Sequence, residues 1–343
     1  MPRELLAIAP RKPVLREYRD PPLRPDELRI RSEFSAPKHG TELAFYRGTA
    51  PFMSAAFHEP SRTFVPSAEP QAKFPIPLGN MSVGVVTEVG ENVTRFREGD
   101  RVYGHLPIRE THTVRESQVD PLPEGVSPEQ IVCLDPADFA LAAVRDAGVR
   151  LGDKVAVFGM GAIGLMAAQM ARLAGAAQVI VVDPLEIRRQ AALRHGAEEA
   201  LDPTELDVGV EIKKMTGGRG VDVSIEASGN YAALHQAIRC TGFGGTVGAL
   251  AFYQGEALGL RLGEEFHMNR LNLVSTRACS DPNRDHPRWD EGRILATCIR
   301  LMQEGKLRVE GLIEPVVTFE RCAEAYRWID EHPEGTIKMG VVY

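Results

Sequence analysis

Short apolar runs of strand character dominate the first 125 or so residues of the chain. Examples are 28–34 (LRIRSEF), 83–90 (VGVVTEVG) and 100–106 (DRVYGHL), punctuated by Gly79, Gly84 and Gly90. The segment ENVTRFREGDRV reads as a turn between two of them, so this region is expected to be an irregular, mostly β domain. From about Pro128 the pattern changes. A helical stretch at 137–147 leads into a strand at 154–158, a helix at 162–173 and a strand at 179–182. A strand at 221–226, a helix at 231–240 and strands at 245–252 and 271–276 follow. Such alternation predicts a parallel sheet with helices on both faces. Two further helices are expected near 291–304 and 320–331. The closing apolar run IKMGVVY is expected to return as a strand to the first domain. The expected domains are therefore 1–130, 131–280 and 281–343, an α/β unit inserted in a β-rich one.

The stretch 154–183 (KVAVFGMGAIGLMAAQMARLAGAAQVIVVD) sharpens the fold class to a Rossmann doubly wound parallel sheet. Strand, glycine turn, helix, strand and acid follow in the order that a dinucleotide site requires. Gly159 permits the tight turn, Gly161 lets the backbone approach a pyrophosphate, and Gly164 allows close packing of helix and strand. Ala162 and Ile163 open the helix, whose unpaired N–H groups and dipole favour phosphate. Asp183, followed by Pro184, is placed to accept from ribose hydroxyls, and its charge favours NAD over NADP. Arg188 and Arg189 are read as a solvated helix face, although cations so close can soften that preference. Ser228 and Gly229 end the VDVSIEASG strand, and Leu250 ends the next. Strand C-termini border the crevice of a doubly wound sheet, so these residues are expected to face the cofactor.

Composition narrows the partners. The chain has 343 residues, 43% hydrophobic and 25% charged, with a net charge of −7. It has no basic tract, so a nucleic-acid surface is not expected. No apolar run approaches the roughly 18 residues of a membrane span. The N-terminal residues lack a secretory hydrophobic region, which makes a cytoplasmic location the expectation. Cys133, Cys240, Cys279, Cys298 and Cys322 are scattered and never in CxxC spacing. Neither a disulfide framework nor a four-cysteine zinc site is expected.

The arrangement resembles the medium-chain dehydrogenase/reductase superfamily over essentially the whole chain. VGVVTEVGENVTRFREGDRV, RLGDKVAVFGMGAIGL, VDVSIEASG, GFGGTVGAL and GTIKMGVVY carry the likeness. The resemblance implies a GroES-like catalytic domain around the Rossmann unit, a nicotinamide cofactor, and a homodimer or homotetramer. It places pairing edge strands at 245–252 and 271–276. Where zinc-dependent members carry C-G-T-D and G-H-E motifs, this chain has His39-Gly40-Thr41-Glu42 and Gly79-Asn80-Met81. A third ligand position falls at Asp135-Pro136. Asn80 is a poor zinc ligand, so no catalytic zinc is expected. HGTELAFYRG and LGNMSVG resemble a narrower branch with altered zinc motifs, which includes bacteriochlorophyllide hydroxyethyl dehydrogenase.

The expected activity is hydride transfer between NAD(H) and a secondary alcohol or sugar, or its carbonyl. Without a metal, hydrogen bonds must polarise the oxygen and a side chain must carry the proton. Lys38, His39, Thr41, Glu42 and Tyr46, with Asn80, are the candidates. Thr41 is the expected oxygen contact by resemblance. His39 is the first choice for the proton because its ring titrates near neutrality. Asn80 is expected to bond a substrate hydroxyl. Lys338 lies near the nicotinamide by resemblance, with a plain strand-end lysine as the alternative. His105, His112, a lid around His58-Glu59, and a cover formed by Arg288 and Trp289 are weaker candidates. A zinc-free quinone or enone reductase using NADPH, and a non-catalytic dinucleotide-binding or redox-sensing protein, remain as alternatives.

Overall fold

The computed structural model describes residues 1–67, 69, 71–277 and 282–343. The chain forms two compact units, one of residues 1–132 and 313–343, the other of residues 133–312. The second boundary differs from the expected 280. The helix Glu291–Gln303 buries Ile294, Cys298 and Met302 at four-residue spacing, an apolar stripe that belongs to the 133–312 unit. Cys279, and the start of the charged segment at 280–281, lie outside the described residues.

In the 133–312 unit six parallel strands form one sheet. Their spatial order is Glu199–Leu201, Gln178–Val182, Lys154–Phe158, Val221–Glu226, Thr241–Ala249 and Asn272–Ser275. Strand order reverses between Lys154–Phe158 and Val221–Glu226, the doubly wound arrangement with its switch point at the glycine turn. The central strands are buried along most of their length because helices cover both faces. The fifth strand starts earlier than expected and lies one place in from the edge. Of the two strands expected to pair between subunits, only Asn272–Ser275 is therefore an edge.

In the other unit the long strand Glu27–Ala36 alternates buried and more accessible positions up to Phe34 and organises the main sheet. It pairs antiparallel with Met81–Val89, Thr111–Arg115 and Lys338–Val342. The last of these is the expected return of the chain terminus. A helix not foreseen as such, His39–Arg47, follows the long strand, and a separate hairpin pairs Ala55–His58 with Thr63–Pro66. The core under the helix includes Leu5, Leu43, Tyr46, Leu78, Tyr326 and Met339. Cys133, Cys240, Cys298 and Cys322 are buried and not joined in disulfides. No helix among the described residues is long and apolar enough to cross a membrane.

Candidate active site

The glycine turn gives each of its glycines a separate task. Gly159 has φ +85°, and a Cβ there would lie 2.6 Å from that of Ser228. Gly161 begins the helix Ala162–Leu173 in an extended conformation, with no side-chain cap. A Cβ at Gly161 would meet nothing within 4 Å, so this is where space is left for a ligand. The first bond back to the turn is Leu165 N–H to Gly161 O, 2.9 Å. The N–H groups of Ala162, Ile163 and Gly164 precede it and suit an anion. Gly164 is packed against the turn itself, where a Cβ would sit 1.8 Å from the Gly159 carbonyl oxygen.

Asp183 is buried and fastens the second strand to this turn. Its Oδ2 accepts from Met160 N–H at 2.7 Å and its Oδ1 from Leu185 N–H at 2.8 Å. Pro184 beside it is exposed. Arg188 and Arg189 do not form the expected solvated face. The Arg188 guanidinium lies 3.9 Å from Asp183, and burial pulls its pKa down against the pull of that carboxylate. Arg189 bonds Asp202 at 2.7 Å and the carbonyls of Asp183 and Pro184 at 2.8 Å each. Both arginines are drawn in because the strand ends concentrate carboxylates and unpaired carbonyl groups.

Glu226, not singled out in the sequence, organises the other side of the switch point. Its fully buried carboxylate accepts from Ser228 N–H at 2.8 Å and Gly229 N–H at 3.1 Å. The Ser228 and Tyr253 hydroxyls also donate to it. Burial raises its pKa against these bonds. Leu250 is buried, and its N–H donates to the Glu226 carbonyl at 2.9 Å. The signal available was an acid ending an apolar strand just before Ala-Ser-Gly. Trp289 does not behave as a free cover. The guanidinium groups of Arg145 and Arg293 lie over its ring, at 3.7 and 4.2 Å from the centroid.

In the other unit, long-range bonds gather the polar residues around the N-terminus of the His39–Arg47 helix. His39 Nε2 accepts from Met339 N–H at 2.9 Å, so the neutral ring carries its proton on Nδ1. Lys338 is buried and its Nζ donates to Pro37 O at 2.6 Å, which sets it beside this helix. Glu42 accepts from Lys38 N–H at 3.0 Å, Gly79 N–H at 2.6 Å and Tyr326 O–H at 2.7 Å. Burial pushes the Glu42 carboxyl up, against those bonds and nearby Lys338. With its acceptor capacity used in this way, Glu42 is a tie between segments rather than a free proton carrier. Asn80 is anchored by its N–H to Ala36 O at 3.0 Å, and its side-chain Nδ2 is buried without a partner. Thr41 is half-buried in the first turn. It is not the cap, since the N-cap residue is Lys38, with no side-chain cap bond.

Tyr46 leaves the candidate list. It is fully buried, packs edge-on against Tyr326 at 5.0 Å, and burial pushes its pKa to about 12. His112 is likewise interior, opposite Ile30 on the long strand. Burial, with Arg109 nearby, brings it down to about 3. His105 and His58 are exposed, the latter bonded to Ser61 at 2.6 Å. Asp135 is buried in the helix Leu134–Asp146 of the other unit.

These residues do not fit a catalytic zinc. The Nε2 lone pair of His39 is engaged by a backbone N–H, Asn80 offers an amide, and Met81 is buried in its strand. Among the described residues, the His, Cys, Asp and Glu side chains close enough to share a metal are His235, Glu264 and Glu265, remote in sequence from these positions.

Comparison with known proteins places both units. Residues 25–126 match the family described as alcohol dehydrogenase GroES-like domain, and residues 162–290 match zinc-binding dehydrogenase. D-guloside 3-dehydrogenase of Escherichia coli (strain K12) is 45% identical over 349 aligned residues, spanning 99% of this chain and all of the relative. Among solved structures, 2R,3R-butanediol dehydrogenase from Bacillus subtilis superposes with a TM-score of 0.80 at 24% identity, covering all of both chains. An NADP-bound structure from Sinorhizobium meliloti 1021 superposes with a TM-score of 0.78 at 21% identity, covering 100% of this chain and 99% of the other.

Proposed function

The chain belongs to the alcohol-dehydrogenase-like part of the medium-chain dehydrogenase/reductase superfamily, and from that premise we propose an NAD(H)-dependent dehydrogenase of a sugar or related polyol. It would interconvert a secondary alcohol and its ketone without a catalytic zinc. The observation that carries this reading is the polar cluster at the start of the His39–Arg47 helix. It presents a buried unpartnered amide nitrogen at Asn80, a hydroxyl at Thr41 and an imidazole at His39, with donors unsuited to zinc. The relative named D-guloside 3-dehydrogenase supports a hydroxylated ring as substrate.

A nicotinamide cofactor, when bound, would supply the hydride acceptor for the carbinol carbon. Asn80 and Thr41 orient the reacting oxygen, and His39 takes the hydroxyl proton on Nε2, a step that requires the bond from Met339 N–H to that nitrogen to open. Lys38 supplies a cation beside it. Gly161, Ala162, Ile163 and Gly164 would hold the diphosphate, and Ser228, Gly229 and Leu250 line the switch-point crevice. The Asp183 carboxylate supports NAD over NADP. The edge strand Asn272–Ser275 suits a homodimer, or a homotetramer built from it.

The test is an assay of sugars and glycosides bearing free secondary hydroxyls, with each cofactor, before and after exhaustive chelation. We expect turnover with NAD that survives chelation. His39→Gln keeps an acceptor for Met339 N–H and should lower kcat about 10²–10⁴-fold with the fold intact. One zinc per chain whose removal abolishes turnover would overturn the zinc clause. A strong NADP preference would overturn the cofactor clause, and an unimpaired His39→Gln variant the proton assignment.

A further inference from the structure

The long connection between the strands Thr241–Ala249 and Asn272–Ser275 carries Tyr253, a donor to Glu226. Its Tyr253, Leu260 and Phe266 pack on a core that includes Leu234, Ala237 and Ile238 of the helix Tyr231–Cys240. A polar group joins the same two segments. One imidazole nitrogen of His235, on that helix, and one carboxylate oxygen each from Glu264 and Glu265 all lie within 4.8 Å of one another. The backbone breaks from helical geometry at Glu264 (φ −95°, ψ −122°), and both carboxylates reach the one histidine.

His235 is only 7% exposed. Its Nδ1 and the Oε2 of Glu265 are both buried without a hydrogen-bond partner. An unpaired buried polar atom is costly, and two of them in one cluster call for a group that both can bind. Two arginines stand beside the cluster. Arg239 lies 3.3 Å from Glu265, but Asp207 holds it at 2.6 and 3.0 Å. Arg261 touches His235 Nε2 and Glu264 at 3.4 Å each, long for hydrogen bonds, and its side chain is 63% exposed.

We propose that His235, Glu264 and Glu265 form a binding site for a divalent transition-metal ion of the zinc type, for which Arg261 is a displaceable stand-in. One neutral imidazole nitrogen and two carboxylate oxygens suit zinc, with a further position left to water. Bonds of about 2.0–2.2 Å bring such ligands to about 3.4 Å from one another, so the side chains close in on the ion. A neutral imidazole has a single nitrogen lone pair. An ion on Nε2 replaces Arg261 directly. An ion on Nδ1 sends the ring proton to Nε2, where it faces the Arg261 donor. Metal and Arg261 therefore exclude each other on either nitrogen. The occupied site ties the connection that carries Tyr253 to the helix Tyr231–Cys240. It lies in the 133–312 unit and takes no part in the proton chemistry assigned to His39.

The experiment titrates exhaustively chelated full-length protein with Co2+, read by visible absorption, and with Zn2+, read by equilibrium dialysis. Wild type should bind one ion per chain. Glu264 is exposed, so Glu264→Gln should melt like wild type without metal and bind the ion at least about tenfold more weakly. Arg261→Ala should tighten binding by about tenfold, because a competing cation is gone. Zn2+ should also shift a ring 15N resonance of His235, which marks direct ligation. Equal affinity in wild type and Glu264→Gln, or an unmoved His235 resonance, would reduce the finding to an adventitious ion only and overturn the site. Unchanged affinity in Arg261→Ala overturns the stand-in role. His39→Gln should bind the ion as wild type does. Loss of the ion in that variant would place it at the His39–Arg47 helix, and would overturn both this site and the zinc-free reading of the chemistry.

Discussion

At the scale of single residues, burial decides which polar side chains are free to act. His112 and His39 are the same residue type in the same unit, yet one is closed into a sheet and the other sits at a helix start bonded to Met339. His112 gives a clear pH signature. Burial lowers its pKa from 6.5 to about 3, so the native state keeps it neutral. Between those values the unfolded chain binds a proton there and the native state does not. Stability therefore falls as pH falls through that window, by about 1.4 kcal/mol per pH unit. Melting wild type and His112→Gln from pH 7 to pH 4 should show the wild type losing stability faster. Parallel curves would remove this account. Tyr46 teaches the same lesson from the opposite direction. Its spacing from Leu43 places both on the buried face of one helix, a signal present in the sequence but outweighed by the polar residues around it.

At the scale of elements, the contiguous ones were the most legible. The helices 162–173 and 231–240 and the strands 154–158 and 221–226 have the bounds that periodicity and turn chemistry assign them. Each carries its own start, stop and apolar face. The His39–Arg47 helix and the hairpin were not foreseen as elements. The helix mixes buried and polar positions within nine residues, and the strand Thr63–Pro66 is exposed throughout, so neither shows a clean period. The glycine turn lends itself to a contrast between two substitutions. Gly161→Ala meets open space at an ordinary φ and should cost less than about 1 kcal/mol of stability. It should weaken cofactor binding tenfold or more, because the added methyl takes the space by the diphosphate. Gly164→Ala drives a methyl into the Gly159 carbonyl and should cost about 1–3 kcal/mol in the absence of cofactor. Thermal melts and cofactor titrations of both variants would separate the two roles. Equal losses of stability would contradict them.

At the scale of the whole molecule, the open edge of the parallel sheet bears on assembly. Among the described residues Asn272–Ser275 presents an unpaired edge with Leu273 exposed, near exposed Met268. Such an edge invites pairing with a second copy. Leu273→Lys should shift a sedimentation profile from oligomer toward monomer, and an unaltered profile would place the interface elsewhere. The sequence by itself determined the cofactor-binding half. Its strand, turn, helix, strand and acid lie within about thirty consecutive residues, so local periodicity and glycine stereochemistry suffice to specify them. Only the tertiary structure decided the hydrogen bonding around the His39–Arg47 helix. The bond from Met339 to His39 joins residues 300 apart, Lys338 reaches Pro37 across 301, and Tyr326 reaches Glu42 across 284. Local patterning can name such residue types as candidates. Which of them are tied, which are buried and which keep an unused hydrogen-bonding group depends on strands and helices that meet only once the chain has folded.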